Sequence, residues 1–548
     1  MLRFIILLLI SVPFTAVATA EGTDKSSLPT RVFIFAGQSN MEGADSHTDA
    51  IRQFPPFAGL EHPQDDVRFS YCIGRQNKHR SNAWVPLSAV NHMVGPELSF
   101  AREVKKALDA PIAIIKCAAG GTHLGGDWNP DEPGGFEMYP LALDLVRTSL
   151  ADLESQGINY QIEAFVWHQG ENDMFNEDYM ANYGKNLARF IERWREDLKT
   201  PDLPFFIGEL CTKTIWGMDL RPRMYAISRG QKAVTEEDPR ATYVRTSHIG
   251  VEIGNPVGLH YHYGTLGQLE HGLCHARAYL ASVGISQWTP KPLTTWPIPD
   301  LAEVKLFVFA GHRNMEGERA FIQNVPKKRK HLLNPAPSVP FHYSLGGGYL
   351  VSEDWEALRP GMLYDNFGPE LSFVDQIKHH EQGSIAVAKF THGGSQLNDW
   401  TPEGSLAKSR HLYPNFIDFI KNAVSDLEAR GHRVRLAGIF YHLGENETSM
   451  FPYRKQMIAW LKSLIQQSRI DLQHPTLEWH VSQQPPTNHK NVNEVDVVAA
   501  LATLAKEDRH LYHIFADRLP PQEKRLVLNT EGIIELGNLL AKSYLAPR

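Results

Sequence analysis

The stretch Val32-Phe-Ile-Phe-Ala-Gly37 recurs 274 residues later as Leu306-Phe-Val-Phe-Ala-Gly311, and Asn-Met-Glu-Gly follows each copy after two further residues. A short run of β-branched and aromatic residues that ends on glycine is typical of a buried strand leading into a turn. Two further motifs repeat at a displacement of 273 or 274 residues: Gly95-Pro-Glu-Leu-Ser-Phe100 as Gly368-Pro-Glu-Leu-Ser-Phe373, and Trp167-His-Gln-Gly-Glu-Asn172 as Tyr441-His-Leu-Gly-Glu-Asn446. A common register across three blocks indicates a tandem duplication.

The duplication divides the 548 residues into two similar units. We predict a first domain at residues 29–285 and a second domain at residues 302–548, joined by a linker at residues 286–301. The linker contains four prolines from Trp288 to Pro299, and this spacing blocks a helix and favours an extended, semi-rigid segment.

The composition is that of an ordinary globular protein, with 42% hydrophobic and 21% charged residues. The formal net charge of −7 argues against nucleic acid as a partner, because that ligand calls for a basic face. The four cysteines, all in the first domain, form no Cys-x-x-Cys pair, which argues against a thiolate metal site.

The first twenty residues are typical of a secretory signal peptide, with a core helix as the alternative. Arg3 supplies a positive start, an apolar run follows from Phe4 to Val12, and Ala18-Thr19-Ala20 forms a small-residue cleavage site. No later stretch reaches the ~18 apolar residues that span a bilayer. We therefore expect a mature protein that is secreted or periplasmic, with no membrane span.

Short apolar runs alternate with amphipathic stretches in each copy. Arg31 to Ala36 and Ile112 to Lys116 are predicted strands, and Glu97 to Leu108 and Tyr179 to Leu198 are predicted helices. This alternation predicts βαβ units and a parallel sheet covered on both faces. Ligands bind such sheets at the carboxyl ends of the strands. Three polar loops follow predicted strands: Gly37-Gln-Ser-Asn40, Gly120-Gly-Thr122 and His168-Gln-Gly-Glu171.

Ser39 follows a strand at a glycine turn, where its hydroxyl would be exposed above the sheet edge. A nucleophilic serine needs a base within hydrogen-bond reach and N–H donors aimed at the developing oxyanion; a helix N-cap is the alternative role. The pair Gly120-Gly121 permits close approach of a ligand to the backbone, or is only a turn. Trp128 would form the wall of a sugar pocket or simply pack. The loop from Trp167 to Asp173 carries five polar side chains, which favours a site over solvated loop charges.

Two histidines, His260 and His262, precede the last predicted helix of the first domain. A histidine here is suited to act as a general base, because the ordinary pKa of an imidazole lies near neutrality. A lone histidine is more often structural. Two histidines without a nearby cysteine or carboxylate are too few ligands for zinc, so we predict no metal.

Together these motifs resemble those of the SGNH-hydrolase superfamily, specifically its sialate O-acetylesterase-like and acetylxylan-esterase branch (carbohydrate esterase family 6-like). Four ordered motifs span the first domain: Gly37-Gln-Ser-Asn-Met41, Gly120-Gly-Thr122 with Asp127-Trp-Asn-Pro130, His168-Gln-Gly-Glu171, and His262-Tyr-Gly-Thr265 through Glu270. The resemblance implies tandem flavodoxin-like three-layer α/β/α domains with parallel sheets. It also implies a serine esterase that removes acetyl groups from sugars without a cofactor.

The resemblance assigns Ser39 as the nucleophile and His262 as the base, with His260 as the competing base. The oxyanion hole would use the Ser39 amide. The further oxyanion and substrate contacts that it implies are Gly120, Gly121, Gln169, Gln38 and Trp128. Many SGNH enzymes orient the histidine with an aspartate three residues earlier, but that position here is Leu259. In the acetylxylan-esterase branch the glutamate of His-Gln-Gly-Glu is taken as the acid, so Glu171 is expected to complete the triad.

The second copy departs from these motifs. Arg313 stands at the position of the nucleophile, Leu443 at that of Gln169, and Val527 at that of the base. The second domain is therefore predicted to be a pseudo-esterase in contact with the first. It would stabilise the first domain, shape the substrate cleft, or bind glycan without cleaving it.

We predict an exported serine esterase that removes O-acetyl groups from an acetylated polysaccharide or sialic acid through an acetyl-enzyme. The alternative is a non-catalytic glycan-binding protein in which both esterase domains have decayed. A lipid-ester hydrolase would use the same residues with a different pocket, but no long apolar surface is visible in the sequence to support it.

Overall fold

The computed structural model describes residues 28–211, 213–215, 218–251, 261–286, 288–406, 410–443, 447, 456–483, 494–517, 519–520 and 526–547. The predicted signal peptide, residues 1–20, lies outside the described residues. Each repeat builds one large, mainly parallel sheet that is covered by helices. This confirms the prediction of two tandem α/β domains.

The first repeat forms the strands β1 (Thr30–Gly37), β2 (Gln64–Ile73), β3 (His79–Arg80), β4 (Val85–Leu87), β5 (Ile112–Ala118), β6 (Tyr160–His168), β7 (Phe205–Gly208), β8 (Thr214–Ile215), β9 (Met218–Asp219) and β10 (Ala241–Val244). Its helices are α1 (Ser39–Glu42), α2 (Glu97–Ala107), α3 (Met138–Ser155), α4 (Glu177–Ala181), α5 (Tyr183–Asp197), α6 (Arg221–Glu237) and α7 (Gly264–Ser282). The sheet has the order β10-β7-β6-β1-β5-β2-β3, and β4 also pairs with β2. Only β3 and β4 run antiparallel to their partner within this described sheet.

The second repeat forms β11 (Glu303–Gly311), β12 (Ala336–Leu345), β13 (Leu350–Val351), β14 (Glu356–Leu358), β15 (Ser384–Thr391), β16 (Arg433–His442), β17 (Trp479–Gln483) and β18 (Leu511–Phe515). Its helices are α8 (Arg313–Glu316), α9 (Glu370–Ile377), α10 (Tyr413–Ala429), α11 (Met457–Asp471), α12 (Glu494–Glu507) and α13 (Thr530–Leu545). The sheet has the order β18-β17-β16-β11-β15-β12-β13, and β14 also pairs with β12. In this direction the order matches that of the first domain strand for strand.

Strand β1 shows why residues 32–36 are apolar at every position. Phe33 and Phe35 pack on one side of the sheet, whereas Val32 and Ile34 belong to the core on the other side. The Phe33 ring centroid lies 4.9 Å from that of Tyr279 on α7. A strand buried on both faces needs apolar residues at every position, which is the pattern of a parallel sheet between two helical layers.

The predicted helix from Tyr179 to Leu198 is divided into α4 and α5. The Asn182 side chain donates to the backbone carbonyl and to the carboxylate of Asp178, at 3.0 Å in each case. Asparagine competes with helical hydrogen bonding in this way. The amphipathic periodicity therefore predicts the extent of this helical segment correctly, but it does not predict the interruption at Asn182.

The motif that repeats letter for letter builds the same buried ion pair twice. Glu97 begins α2 and accepts from the Lys116 ammonium on β5 at 2.7 Å, and Glu370 pairs with Lys389 at 2.9 Å. The four side chains are at most 1% exposed. Removing one partner of such a pair leaves an uncompensated buried charge, so the motif stabilises the fold in both copies.

The two domains contact each other directly. Arg245 donates to the carbonyl oxygens of Gly346, Gly347 and Gly348, and the His248 ring stacks on Tyr349 with centroids 4.0 Å apart. Among the helices of the described residues, none combines the length and apolarity needed to cross a membrane. The four cysteines are buried, and none of them is part of a disulfide among the described residues.

Candidate active site

The carboxyl end of β1 presents Ser39 at the sheet edge. Gly37 has φ +153°, and a Cβ there would lie 2.0 Å from the carbonyl oxygen of His168 on β6. Only glycine allows β1 and β6 to approach so closely at this turn. The chain then enters the short helix α1, which begins with Ser39.

Ser39, His262 and Asp45 form a continuous hydrogen-bonded chain. The Ser39 Oγ lies 3.0 Å from His262 Nε2, and His262 Nδ1 lies 2.6 Å from Asp45 Oδ2. The hydrogen bond from His262 holds the pKa of the Asp45 carboxyl below its usual value, and the charge interaction with His262 adds to this effect. A carboxylate on Nδ1 leaves Nε2 free to take a proton from the serine, which is the arrangement of a catalytic triad.

The carboxylate that contacts His262 is that of Asp45 and not that of Glu171, the acid expected from the sequence. The Glu171 carboxylate is fully buried and accepts from Asn40 Nδ2 at 2.6 Å and lies 3.3 Å from His168 Nε2. Burial raises the pKa of Glu171, but His168 and Asn40 outweigh this effect and the pKa lies below its usual value. The glutamate therefore points into the floor of the site.

Among the described residues, Asn40 connects Glu171 to the segment that carries the base. The Asn40 amide also donates to the carbonyl oxygen of Tyr261 and accepts from the Tyr263 N–H. These bonds hold the backbone on both sides of His262. Asn40 and Glu171 thus position the base without touching its ring.

A comparison of the two copies of the repeat could have pointed to Asp45 from the sequence. Asp45 follows Gly43, which ends α1 in the left-handed region at φ +106°, and itself adopts φ +58°. Aspartate tolerates this conformation better than most residues. The matching position in the second copy is Arg319, six residues after Arg313, so the copies differ at the acid as they do at the nucleophile.

Two of the expected oxyanion donors are available. The amides of Ser39 and Gly121 have no hydrogen-bond acceptor among the described residues. The Gly120 amide instead donates to Glu42 Oε2 at 2.9 Å. Gly121 has φ +75°, a conformation that suits glycine and turns its N–H away from the regular strand direction.

The side chains of Gln169 and Gln38 bond mainly to the strand-end loops, and Gln38 Nε2 also donates to Ser39 Oγ at 3.4 Å. Gln169 Nε2 donates to the Thr122 carbonyl oxygen at 3.0 Å and to Asp173 at 2.5 Å. Gln38 Oε1 accepts from the backbone N–H groups of Gly170 and Asn172. Both glutamines are fully buried and hold the strand-end loops in place, so the predicted oxyanion role of Gln169 does not fit its contacts.

Trp128 belongs to the core, which corrects its assignment as a substrate contact. Its side chain is fully buried, and its indole N–H donates to Thr122 Oγ1 at 2.9 Å. The ring packs edge-on against Trp167 with centroids 5.3 Å apart. The alternative base, His260, lies outside the described residues.

A cleft of about 480 Å³ opens above the serine and the histidine. Its aromatic members, Phe175 and Tyr261, were not expected from the sequence, and Phe175 is 45% exposed. The residues lining the cleft are Ser39, Glu42, Ala44, Gly120, Gly121, Asn172, Phe175, Ile215, Tyr261 and His262. Phe175 supplies one exposed aromatic ring beside the polar groups, an arrangement suited to a sugar ester.

The second copy has other residues at the positions of Ser39, Asp45 and His262. Asn314 donates to the Leu526 carbonyl oxygen and accepts from the Leu528 N–H, as Asn40 does around His262, and this places Val527 at the position of the histidine. Arg313, at the position of the serine, donates to both carboxylate oxygens of Glu318 at 2.6 Å.

The first domain fills the corresponding cleft of the second. Arg313 Nη1 donates to the carbonyl oxygen of Val251 at 3.0 Å. A Cβ on Gly394 would lie 1.9 Å from the carbonyl oxygen of Ser247, and one on Gly393 would lie 2.9 Å from that of His248. The segment at residues 247–251 of the first domain therefore lies where a substrate would enter the second.

Comparisons with known proteins agree with this internal symmetry. A family model described as "Carbohydrate esterase, sialic acid-specific acetylesterase" matches residues 29–281 and again residues 303–546. The "Probable carbohydrate esterase At4g34215" of Arabidopsis thaliana is 28% identical over 289 residues, which cover 48% of this chain and 96% of that protein. The X-ray structure of Arabidopsis thaliana AT4G34215 is 22% identical and covers 46% of this chain and 98% of its own, with a TM-score of 0.36. The structure of NanS is 19% identical and covers 47% of this chain and 98% of its own, with a TM-score of 0.35.

Proposed function

Because the chain belongs to the sialic acid-specific acetylesterase family of carbohydrate esterases, we propose that its first domain is a serine esterase that removes O-acetyl groups from an acetylated polysaccharide or sialic acid. The observation that carries the proposal is the chain of hydrogen bonds from Ser39 through His262 to Asp45 at the base of an open cleft. The alternative, a glycan-binding protein with two decayed domains, lacks support because the first domain keeps a nucleophile, a base and an acid.

The residues divide the reaction into two acyl transfers. Ser39 Oγ attacks the acetyl carbonyl carbon while His262 Nε2 takes its proton, and Asp45 fixes the imidazole in the tautomer with hydrogen on Nδ1. The Ser39 and Gly121 amides donate to the oxyanion of the tetrahedral intermediate. The C–O bond to the sugar breaks as His262 returns the proton to the departing hydroxyl. Water, activated by the same histidine, then hydrolyses the acetyl-enzyme and releases acetate.

The second domain is proposed to be non-catalytic and to stabilise the first. The residues at its triad positions, Arg313, Arg319 and Val527, offer neither a nucleophile nor a base. Residues 247–251 occupy its cleft, so this surface is not open to a glycan. Of the three roles expected from the sequence, support of the first domain fits these contacts best.

The enzyme is proposed to act outside the cytoplasm, as a secreted or periplasmic protein. This rests on the charge, apolar run and small-residue cleavage site of residues 1–20. Mass spectrometry of the mature protein, purified from its source, would give an N-terminus at Glu21. Retention of Met1 would contradict export by this route.

Acetate release from a panel of acetylated glycans tests the activity. The purified chain is expected to hydrolyse 4-nitrophenyl acetate and at least one of acetylated xylan, O-acetylated sialic acid or another acetylated polysaccharide. Ser39→Ala should abolish release from all of them. The matched control is Ser46→Ala, which changes a nearby serine whose hydroxyl donates to backbone carbonyl oxygens. Release that persists in Ser39→Ala would overturn the proposal.

A further inference from the structure

Three histidines form a buried cluster behind the active site. His168 ends β6, and His271 and His275 lie one turn apart on α7. All three side chains are fully buried, and one ring nitrogen from each lies within 4.8 Å of the other two. His271 Nε2 and His275 Nε2 are 3.1 Å apart.

The nitrogen of His168 that faces the cluster has no partner. Glu171 lies 3.3 Å from His168 Nε2 and favours hydrogen on that atom, which leaves the Nδ1 lone pair free. Nδ1 is buried without a hydrogen-bond partner among the described residues. Gly208 keeps the neighbouring space open, since a Cβ there would lie 2.4 Å from His168 Nδ1 and 3.0 Å from His275 Nε2.

The duplication shows that packing alone does not require these histidines. Ser99 Oγ donates to the carbonyl oxygen of Leu269, and Ser372 Oγ donates to that of Ile534, which aligns α7 with α13. This alignment places Leu536 opposite His271 and Leu540 opposite His275. The copy without a triad fills this space with leucine.

In the second copy, the histidine that matches His168 has a different partner. His442 ends β16 as His168 ends β6, and its Nδ1 lies 2.9 Å from the Ser482 hydroxyl. The second copy therefore pairs the Nδ1 atom of its single histidine with a neutral hydroxyl. The first copy instead brings three imidazoles together, and a metal ion binds the neutral form of imidazole.

We propose that His168, His271 and His275 bind one divalent metal ion of the zinc class. Imidazole nitrogens suit zinc, and three of them with a fourth position taken by a small ligand complete its usual coordination. Glu171 supports His168 from behind, as a carboxylate commonly supports a metal-bound histidine. The sequence prediction of no metal considered only His260 and His262, whereas these three histidines are brought together by the fold.

The site would join the end of β6 to α7. The loop after β6 carries Glu171, and α7 follows directly after His262. A metal ion at this junction would hold the floor of the active site against the helix that presents the base. It would take no part in acyl transfer, because none of its three ligands lines the cleft that contains Ser39.

Metal content of the full chain tests the proposal, whatever its esterase activity. After dialysis against zinc and then against metal-free buffer, elemental mass spectrometry is expected to find about one zinc per chain. The double variant His271→Leu/His275→Leu, which copies the second domain, should retain almost none. The matched control His442→Leu changes the equivalent histidine of the second copy and should keep the wild-type zinc content.

A second measurement covers the case in which the double variant fails to fold. Zinc added to the metal-free wild-type chain should raise its Tm, and Co²⁺ should give the visible absorption of a low-symmetry nitrogen site. Glu171→Gln should weaken zinc binding about 10- to 100-fold. The proposal would be overturned if the wild-type chain held less than a tenth of a zinc ion and zinc did not shift its Tm. The three histidines would then be a cluster of hydrogen-bonded neutral imidazoles.

Discussion

Replacing Asp45 by asparagine is the sharpest test of the triad geometry, because the isosteric amide keeps the shape and removes the charge. The bond from His262 Nδ1 to Asp45 is 2.6 Å long. A hydrogen bond to a charged group contributes about 1.5–3 kcal/mol. At about 1.36 kcal/mol for each factor of ten, Asp45→Asn should lower kcat/KM about 10- to 150-fold.

This expected loss is smaller than the ~10⁴-fold effect of the same change in serine proteases. The Asp45 side chain is 72% exposed, so water screens its charge and replaces part of its hydrogen bonding. The assay is initial-rate hydrolysis of 4-nitrophenyl acetate, with Tm measured in parallel. Tm should change little, because the residue lies at the surface.

A matched control is available four residues along the chain. Asp49 is 79% exposed and lies 3.6 Å from His47, so Asp49→Asn removes an equivalent carboxylate from a histidine outside the cleft. The control should keep wild-type kcat/KM. Full activity in Asp45→Asn, or an equal loss in Asp49→Asn, would refute the assignment of Asp45 as the orienting acid.

Three further outcomes follow from burial and charge. Glu97→Gln leaves a buried ammonium unpaired and should lower the free energy of unfolding by about 3–5 kcal/mol, measured by urea denaturation; an unchanged midpoint would contradict the role of that ion pair. Burial lowers the pKa of Lys213 to about 8 from 10.5, and its Nζ has no hydrogen-bond partner among the described residues. Between these values the unfolded chain binds more protons at this group, so its contribution to stability rises with pH from 8 to 10.5. Lys213→Met should therefore stabilise the protein at pH 7 by about 1–3 kcal/mol relative to the wild type, and this difference should shrink towards pH 10.5. A difference that does not change with pH would contradict this. In a chain that carries Ser39→Ala, we expect no hydrolysis after the triple change Arg313→Ser, Arg319→Asp and Val527→His, because residues 247–251 fill the cleft of the second domain. Measurable turnover would show that this cleft opens.

The fold could be predicted because its decisive signals are local. The run at residues 32–37 specifies a strand buried on both faces, and its recurrence specifies a second sheet of the same order. The break at Asn182 was missed because hydrogen bonds of one side chain, rather than periodicity, end α4. A contact between the domains was expected, but the surfaces that meet could not be predicted, because no local pattern specifies them.

The site was predicted only in part for a similar reason. Ser39 and His262 stand in recognisable motifs, whereas Asp45 contacts a histidine 217 residues away. Gln169 and Trp128 share those motifs, but their polar groups serve the internal hydrogen bonding of buried loops. Residue type alone does not separate a group that holds a loop from one that faces a substrate.

Labelling with a serine-reactive fluorophosphonate, followed by peptide mapping of the full chain, tests the central claim most directly. We expect one modified peptide, which contains Ser39, and no modification of the second domain. Labelling should disappear in Ser39→Ala and fall sharply in His262→Ala, because the hydroxyl then lacks its base. A wild-type chain that remains unlabelled, or a label on a serine of the second domain, would contradict an esterase whose only catalytic centre lies in the first copy.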